Sequence, residues 1–183
     1  MSLTQLRNRF IMSLIVEDGS IVPDANSYVA LVDADNYFTA RNNHVWLSLE
    51  QDAKEALLIA ATDYIELRFG RRFLGKKKQD NQPLSFPRTG IPYIAPIPEV
   101  LKKACFEYAI RANSGPLVPD PKFDESGMAL TVRRKKVGPL ETEMRTPSKG
   151  VGSTVTLFRP YPGADYLLTD LLGSSCENRW IRN

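Results

Sequence analysis

One histidine, two cysteines and no long apolar run are the scarcities that constrain this 183-residue chain most. The single His44 leaves too few imidazoles for the common His-based metal sites, and a Ser–His–Asp triad would need that one residue. Its place just after Asn42-Asn43, at the end of a predicted helix, suits an exposed structural residue. The cysteines, Cys105 and Cys176, are too few for a disulfide framework and fit a reducing compartment, with a bridge between them as the open alternative. No apolar stretch approaches the roughly 20 residues that span a bilayer, so no membrane association is expected. Residues 10–16 are apolar and follow two arginines, but Glu17-Asp18 interrupts them and no small-residue cleavage site follows. No signal peptide is therefore expected.

Catalytic patterns are scarce too. Gly150-Val151-Gly152-Ser153 lacks the lysine and the following helix of a phosphate loop. Asp33 and Asp35 read as helix-terminal acids, and Glu141 and Glu143 as the solvent face of a strand. No catalytic, cofactor-binding or metal site is expected, and the chain reads as a non-enzyme.

What is present is an ordinary globular composition with a legible helical pattern. Asp33 is a predicted N-cap for a helix over 34–42, with Ala34, Tyr37, Phe38 and Arg41 on one face. Ser48 and Gln51 read as a capping box for a helix over 49–69, closed by Gly70. Its predicted apolar face is Ala53, Leu57, Ala60, Tyr64 and Phe69, reinforced by Ala56, Ala61 and Ile65. Pro98 suits the first position of a third helix ending near 113. Val100, Leu101, Ala104, Cys105, Tyr108, Ala109 and Ala112 form its apolar side. Residues 164–172 read as a short final helix. Ser27-Tyr28-Val29 reads as a short strand, residues 128–137 and 140–146 as a hairpin turning at Gly138-Pro139, and Thr154–Phe158 as a further strand.

The expected fold is mainly α: a small bundle of three to four helices with a β-hairpin at about 128–146 and extended N- and C-terminal arms. An arm over 1–26 precedes a helical domain over 27–172, and a tail over 173–183 follows. The predicted core is Leu57, Ala60, Ala61, Tyr64, Ala104, Cys105, Tyr108, Leu168 and Leu171. The segments 70–97 and 114–127 are long and irregular. Ile91, Tyr93, Ile94, Ile97, Leu117, Val118 and Phe123 make them apolar enough to call for a neighbouring subunit.

Two basic clusters carry the functional signal. Arg71, Arg72, Lys76, Lys77 and Lys78 follow the second helix, and Arg133, Arg134, Lys135 and Lys136 lie on the hairpin. No acids were expected beside either. Such runs are solvated faces or phosphate contacts. Only Phe69 and Phe73 flank the first cluster and no aromatic flanks the second, which favours backbone electrostatics over base contacts. The formal net charge of +3 decides nothing alone.

Eight segments in order also carry a resemblance: LIVEDG at 14–19, NSYV at 26–29, DADNYF at 33–38, AATDYIE at 60–66, FPRTG at 86–90, IPEVLKKACFEYAIRA at 97–112, KKVGPLETEM at 135–144 and DYLLTDLL at 165–172. Together they resemble the head–tail connectors (adaptors) of tailed phages, a family often labelled DnaT-like. Many connectors carry Trp where Phe86 stands here. The resemblance implies a virion structural protein, assembled in the host cytoplasm. It would form a ring of about twelve copies on the portal protein, receive a tail or neck protein, and let the double-stranded genome pass through. Both basic clusters would then be channel candidates. Arg179, Trp180, Ile181 and Arg182 in the tail would be portal-docking candidates. The alternative reading is a single-stranded-DNA-binding replication accessory protein using the same two clusters.

Overall fold

The computed structural model describes residues 13–92, 95–119, 132–136, 141–145 and 158–173, the segments 132–136 and 141–145 by their backbone alone. The chain divides into two units, residues 1–115 with 161–183, and residues 116–160. The first unit holds α1 (Leu31–Thr39), α2 (His44–Leu47), α3 (Gln51–Phe69), a two-residue ladder of β1 (Lys76–Lys77) and β2 (Arg88–Thr89), α4 (Glu99–Ala112), and α5 (Pro162–Asp165), which continues as a 3-10 helix over Tyr166–Leu171. The second holds an antiparallel hairpin, β3 (Val132–Lys136) and β4 (Glu141–Arg145). The expected class, mainly helical with a small antiparallel hairpin, is the one observed. The predicted turn at Gly138-Pro139 and residues 154–157 of the predicted last strand lie outside the described residues.

α3 packs along α4 and the terminal helices close against α4. Leu58, Ala61, Thr62, Ile65 and Phe69 recur at three- and four-residue steps and are buried, as are Leu101, Ala104, Cys105, Tyr108 and Ala109 of α4. Leu168 and Leu171 complete this core. The expected contributors Ala61, Tyr64, Ala104, Cys105, Tyr108, Leu168 and Leu171 are all buried. Leu57 is only half-buried, and Ala53, Ala56 and Ala60 are exposed. α3 carries two adjacent apolar stripes, and periodicity alone cannot choose between them. The choice falls to Leu58, where Thr62 donates its hydroxyl to the Leu58 carbonyl at 3.0 Å and so buries without an unmet polar group. Truncating Leu58 to Ala is expected to cost about 2–5 kcal/mol in urea unfolding, and truncating Leu57 about 1 kcal/mol.

Several helix ends differ from the sequence expectation. α1 starts at Leu31 with Ala30 as N-cap, and Asp33 sits inside its first turn, where it complements the dipole. Buried Tyr28 and Val29 anchor the chain immediately before it. Ser27 makes only a single parallel bridge, to Val16, in place of the expected strand. The capping box at Ser48 and Gln51 is absent, because Ser48 ends α2 and donates its hydroxyl to the Val45 carbonyl at 3.0 Å. Glu50 caps α3 with no side-chain bond. Gly70 is in the ordinary helical region, at φ −52°. A Cβ there would stand 2.6 Å from the Glu66 carbonyl oxygen, so close approach, not a left-handed turn, demands glycine. Pro98 is the N-cap of α4, one position before its predicted place.

The N-terminal loop folds around one carboxylate. Glu17 is buried and accepts the amide hydrogens of Gly19 (2.7 Å), Ile21 (3.0 Å) and Val22 (3.0 Å). Those bonds hold Ile21 at φ +67°, which a β-branched side chain resists. Asn26 ties the same loop by accepting from the Ile15 amide at 2.8 Å. Residues 15–26 are therefore a fastened loop, where the sequence reading gave them to an extended arm.

Candidate nucleic-acid interface

The first basic cluster sits on a loop that the fold holds rigidly. The buried Tyr28 hydroxyl donates to Glu66 and accepts the amide hydrogens of Ser85 (3.0 Å) and Phe86 (3.3 Å). Ser85 adds its own hydroxyl to Glu66 at 2.7 Å. Burial first, then the Glu66 charge, pushes the Tyr28 hydroxyl well above the usual phenol range, so it stays a donor. Buried Gln82 donates to the carbonyls of Leu84 (2.8 Å) and Pro87 (3.1 Å). Arg88 then donates to four carbonyls: Leu74 (2.7 Å), Gly75 (2.7 Å), Phe73 (3.1 Å) and Ser85 (3.2 Å). Gly75, at φ +74°, lies where a Cβ would overlap the Thr89 carbonyl. The β1–β2 ladder sets Lys76 opposite Thr89 and Lys77 opposite Arg88.

This clamp separates the five cations of the cluster. Arg71, Lys76 and Lys78 are exposed. Lys77 is half-buried and donates to the Gln82 carbonyl at 3.3 Å. Arg72 is half-buried, its guanidinium 5.8 Å from the Phe69 ring centre. Asp80, exposed two residues beyond Lys78, offsets part of the charge, contrary to the expectation of no nearby acid. Phe69 and Phe73 are buried in the core, so neither presents a face to a base. Ile97 and Leu117 are buried within the chain too, which removes two of the seven hydrophobes that called for a neighbouring subunit. Ile91 and Val118 are half-buried, and Tyr93, Ile94 and Phe123 lie outside the described residues.

The hairpin sorts the second cluster by register. Arg134 pairs with Glu143 and Lys136 with Glu141, while Arg133 pairs with Met144 and Lys135 with Thr142. Directly opposed residues share a face, and alternate residues change face. One face thus combines Arg134 and Lys136 with two acids. The other carries Arg133 and Lys135 with none. The two acids are a correction to the expectation that this cluster lacks them. Arg179, Trp180, Ile181 and Arg182 lie outside the described residues, as does Cys176.

Groups with catalytic potential are engaged in structure. Cys105 is buried, and burial pushes its thiol up to about 12 against a smaller opposing effect of Thr62, which makes it unreactive. Burial pushes the Asp35 carboxyl up, but hydrogen bonds from Lys54 (2.9 Å) and the Trp46 indole (2.8 Å) outweigh it and hold the group below the usual carboxylate range. His44 is exposed at the start of α2. Among the described residues no three His, Cys, Asp or Glu side chains gather as a metal site, and no helix is long and apolar enough to cross a membrane.

The family described as "Putative DnaT-like ssDNA binding protein" matches residues 12–183, nearly the whole chain, and the protein belongs to that family. No curated protein and no solved structure matches the chain. This finding overturns the connector reading. The portal, the tail or neck protein, the ring of about twelve copies and the genome channel that came with it fall too. The physical reason lies in the segments that suggested it. Glu17 of LIVEDG, Tyr28 of NSYV, Glu66 of AATDYIE, Arg88 of FPRTG and Asp165 of DYLLTDLL are the residues that clamp the fold together. Likeness in such residues reports a shared scaffold, not a shared partner.

Proposed function

We propose that this protein binds single-stranded DNA as a non-catalytic replication accessory, which is the alternative that the sequence already offered. The membership of residues 12–183 in the DnaT-like single-stranded-DNA-binding family carries this reading. The geometry supports it with three exposed cations, Arg71, Lys76 and Lys78, on a loop pinned by Arg88, and with the acid-free hairpin face of Arg133 and Lys135. A preformed cationic loop loses little entropy on meeting a phosphate chain. Each phosphate neutralised on a single strand contributes about −0.7 to the slope of log affinity against log salt. The test is fluorescence anisotropy of a labelled oligothymidylate over a salt series. Lys76→Ala with Lys78→Ala is expected to flatten the slope by about 1.4, and Arg133→Ala with Lys135→Ala by a similar amount. Arg134→Ala with Lys136→Ala is expected to change it less, because Glu143 and Glu141 stand at the opposite register positions. Unchanged slopes in the first two double variants would remove both clusters from the interface.

A further inference from the structure

Resting on the single-stranded-DNA reading above, we infer that Tyr166 is the base-stacking residue beside the first basic cluster. The sequence offered no exposed aromatic there. The fold supplies one from the far end of the chain. Asp165 accepts both guanidinium nitrogens of Arg68 at 2.9 Å, which sets the next residue, Tyr166, beside the last turns of α3. The chain then runs back along the basic turn. The Leu74 amide donates to Leu171 at 2.9 Å, Phe73 bridges to Leu172, and the Gly173 amide donates to Arg72 at 2.9 Å.

Tyr166 is 81% exposed, the one Phe, Tyr or Trp left open among the described residues. Its neighbours in this region behave differently: Tyr64 and Tyr108 are buried, and Tyr161 packs edge-on to both at 5.9 and 6.0 Å. The backbone under Tyr166 is held, because Asp165 also accepts from the Tyr108 hydroxyl and from the Tyr161 amide at 3.0 Å. An open ring on a held backbone loses less freedom when a base stacks on it than one on a loose segment. Leu67, 67% exposed, and Leu74, 38% exposed, add apolar surface on either side of Arg71 in sequence. The segment that carries Tyr166 is bonded to Arg68 at one end and to Arg72 and Leu74 at the other, so a strand whose phosphates follow Arg71, Lys76 and Lys78 runs beside it and offers its bases to the open ring. Because every base has a π-face, such a platform binds without sequence preference.

The experiment compares wild type, Tyr166→Ala and Tyr166→Phe on a labelled oligothymidylate and on an abasic oligomer of equal length, each over a salt series. Tyr166→Ala is expected to weaken oligothymidylate binding by about 5- to 100-fold without changing the salt slope, since no cation is lost. Tyr166→Phe is expected to stay within about 2-fold of wild type, because the ring is kept. On the abasic oligomer all three proteins are expected to bind alike. Equal binding of Tyr166→Ala and wild type to oligothymidylate overturns the inference, as does an equal loss on the abasic strand. Wild type failing to bind any single strand overturns the function reading itself, a distinct outcome.

Discussion

Replacing Asp165 by alanine is expected to lower the unfolding free energy by about 3 kcal/mol. Asp165 takes two bonds from Arg68, one from the Tyr108 hydroxyl and one from the Tyr161 amide. Arg68 also donates to the Tyr64 hydroxyl at 2.6 Å. Removing the carboxylate takes the opposite charge from a guanidinium packed against aromatic rings and the acceptor from a buried phenol. Breaking a buried pair from one side costs about 3–5 kcal/mol. The lower end applies because the Arg68 and Asp165 side chains keep 16% and 21% of their exposure, and water screens part of the loss. Urea unfolding measures it. A loss under about 1 kcal/mol would mean that the cluster behaves as an ordinary surface pair.

Trp46→Ala is expected to cost about 3–5 kcal/mol. The ring is fully buried, stacks on Phe38 at 4.5 Å between centres, and donates its indole hydrogen to Asp35 at 2.8 Å. Alanine would leave a large cavity between α1 and α2. Trp46→Phe keeps the stacking and gives up the hydrogen bond, while Asp35 retains Lys54 at 2.9 Å, so about 1–2 kcal/mol is expected. Thermal unfolding of the two variants separates packing from hydrogen bonding. Similar losses in both would assign the stability to the Asp35 bond.

What the sequence disclosed follows from what periodicity can carry. The long helices, the hairpin and most of the core were legible, because α3 and α4 repeat apolar residues at helical steps over many residues. α2 was not, since four residues are barely one turn, and Trp46 passed unremarked between two helices. The stretch from 70 to 97 read as a long irregular segment in want of a neighbouring subunit because its order is written in single polar residues. Tyr28 meets Ser85 across 57 positions and Arg88 reaches back to Leu74 across 14. No local pattern announces such bonds. The cations of the candidate interface were legible as runs in the sequence. Their sorting into exposed Arg71, Lys76 and Lys78 against half-buried Arg72 and Lys77 depended on that clamp. Tyr166 was hidden for the same reason, its segment being joined to α3 and the basic turn through Asp165, Leu171, Leu172 and Gly173.

The most direct measurement of the central claim is equilibrium binding of the whole protein to a labelled single strand and to the duplex of the same sequence, each at several salt concentrations. The account predicts tighter binding to the single strand, with log affinity falling by about 2–4 per decade of salt, as three to five phosphate contacts require. Tighter binding to the duplex, or no binding to the single strand at low salt, would contradict it.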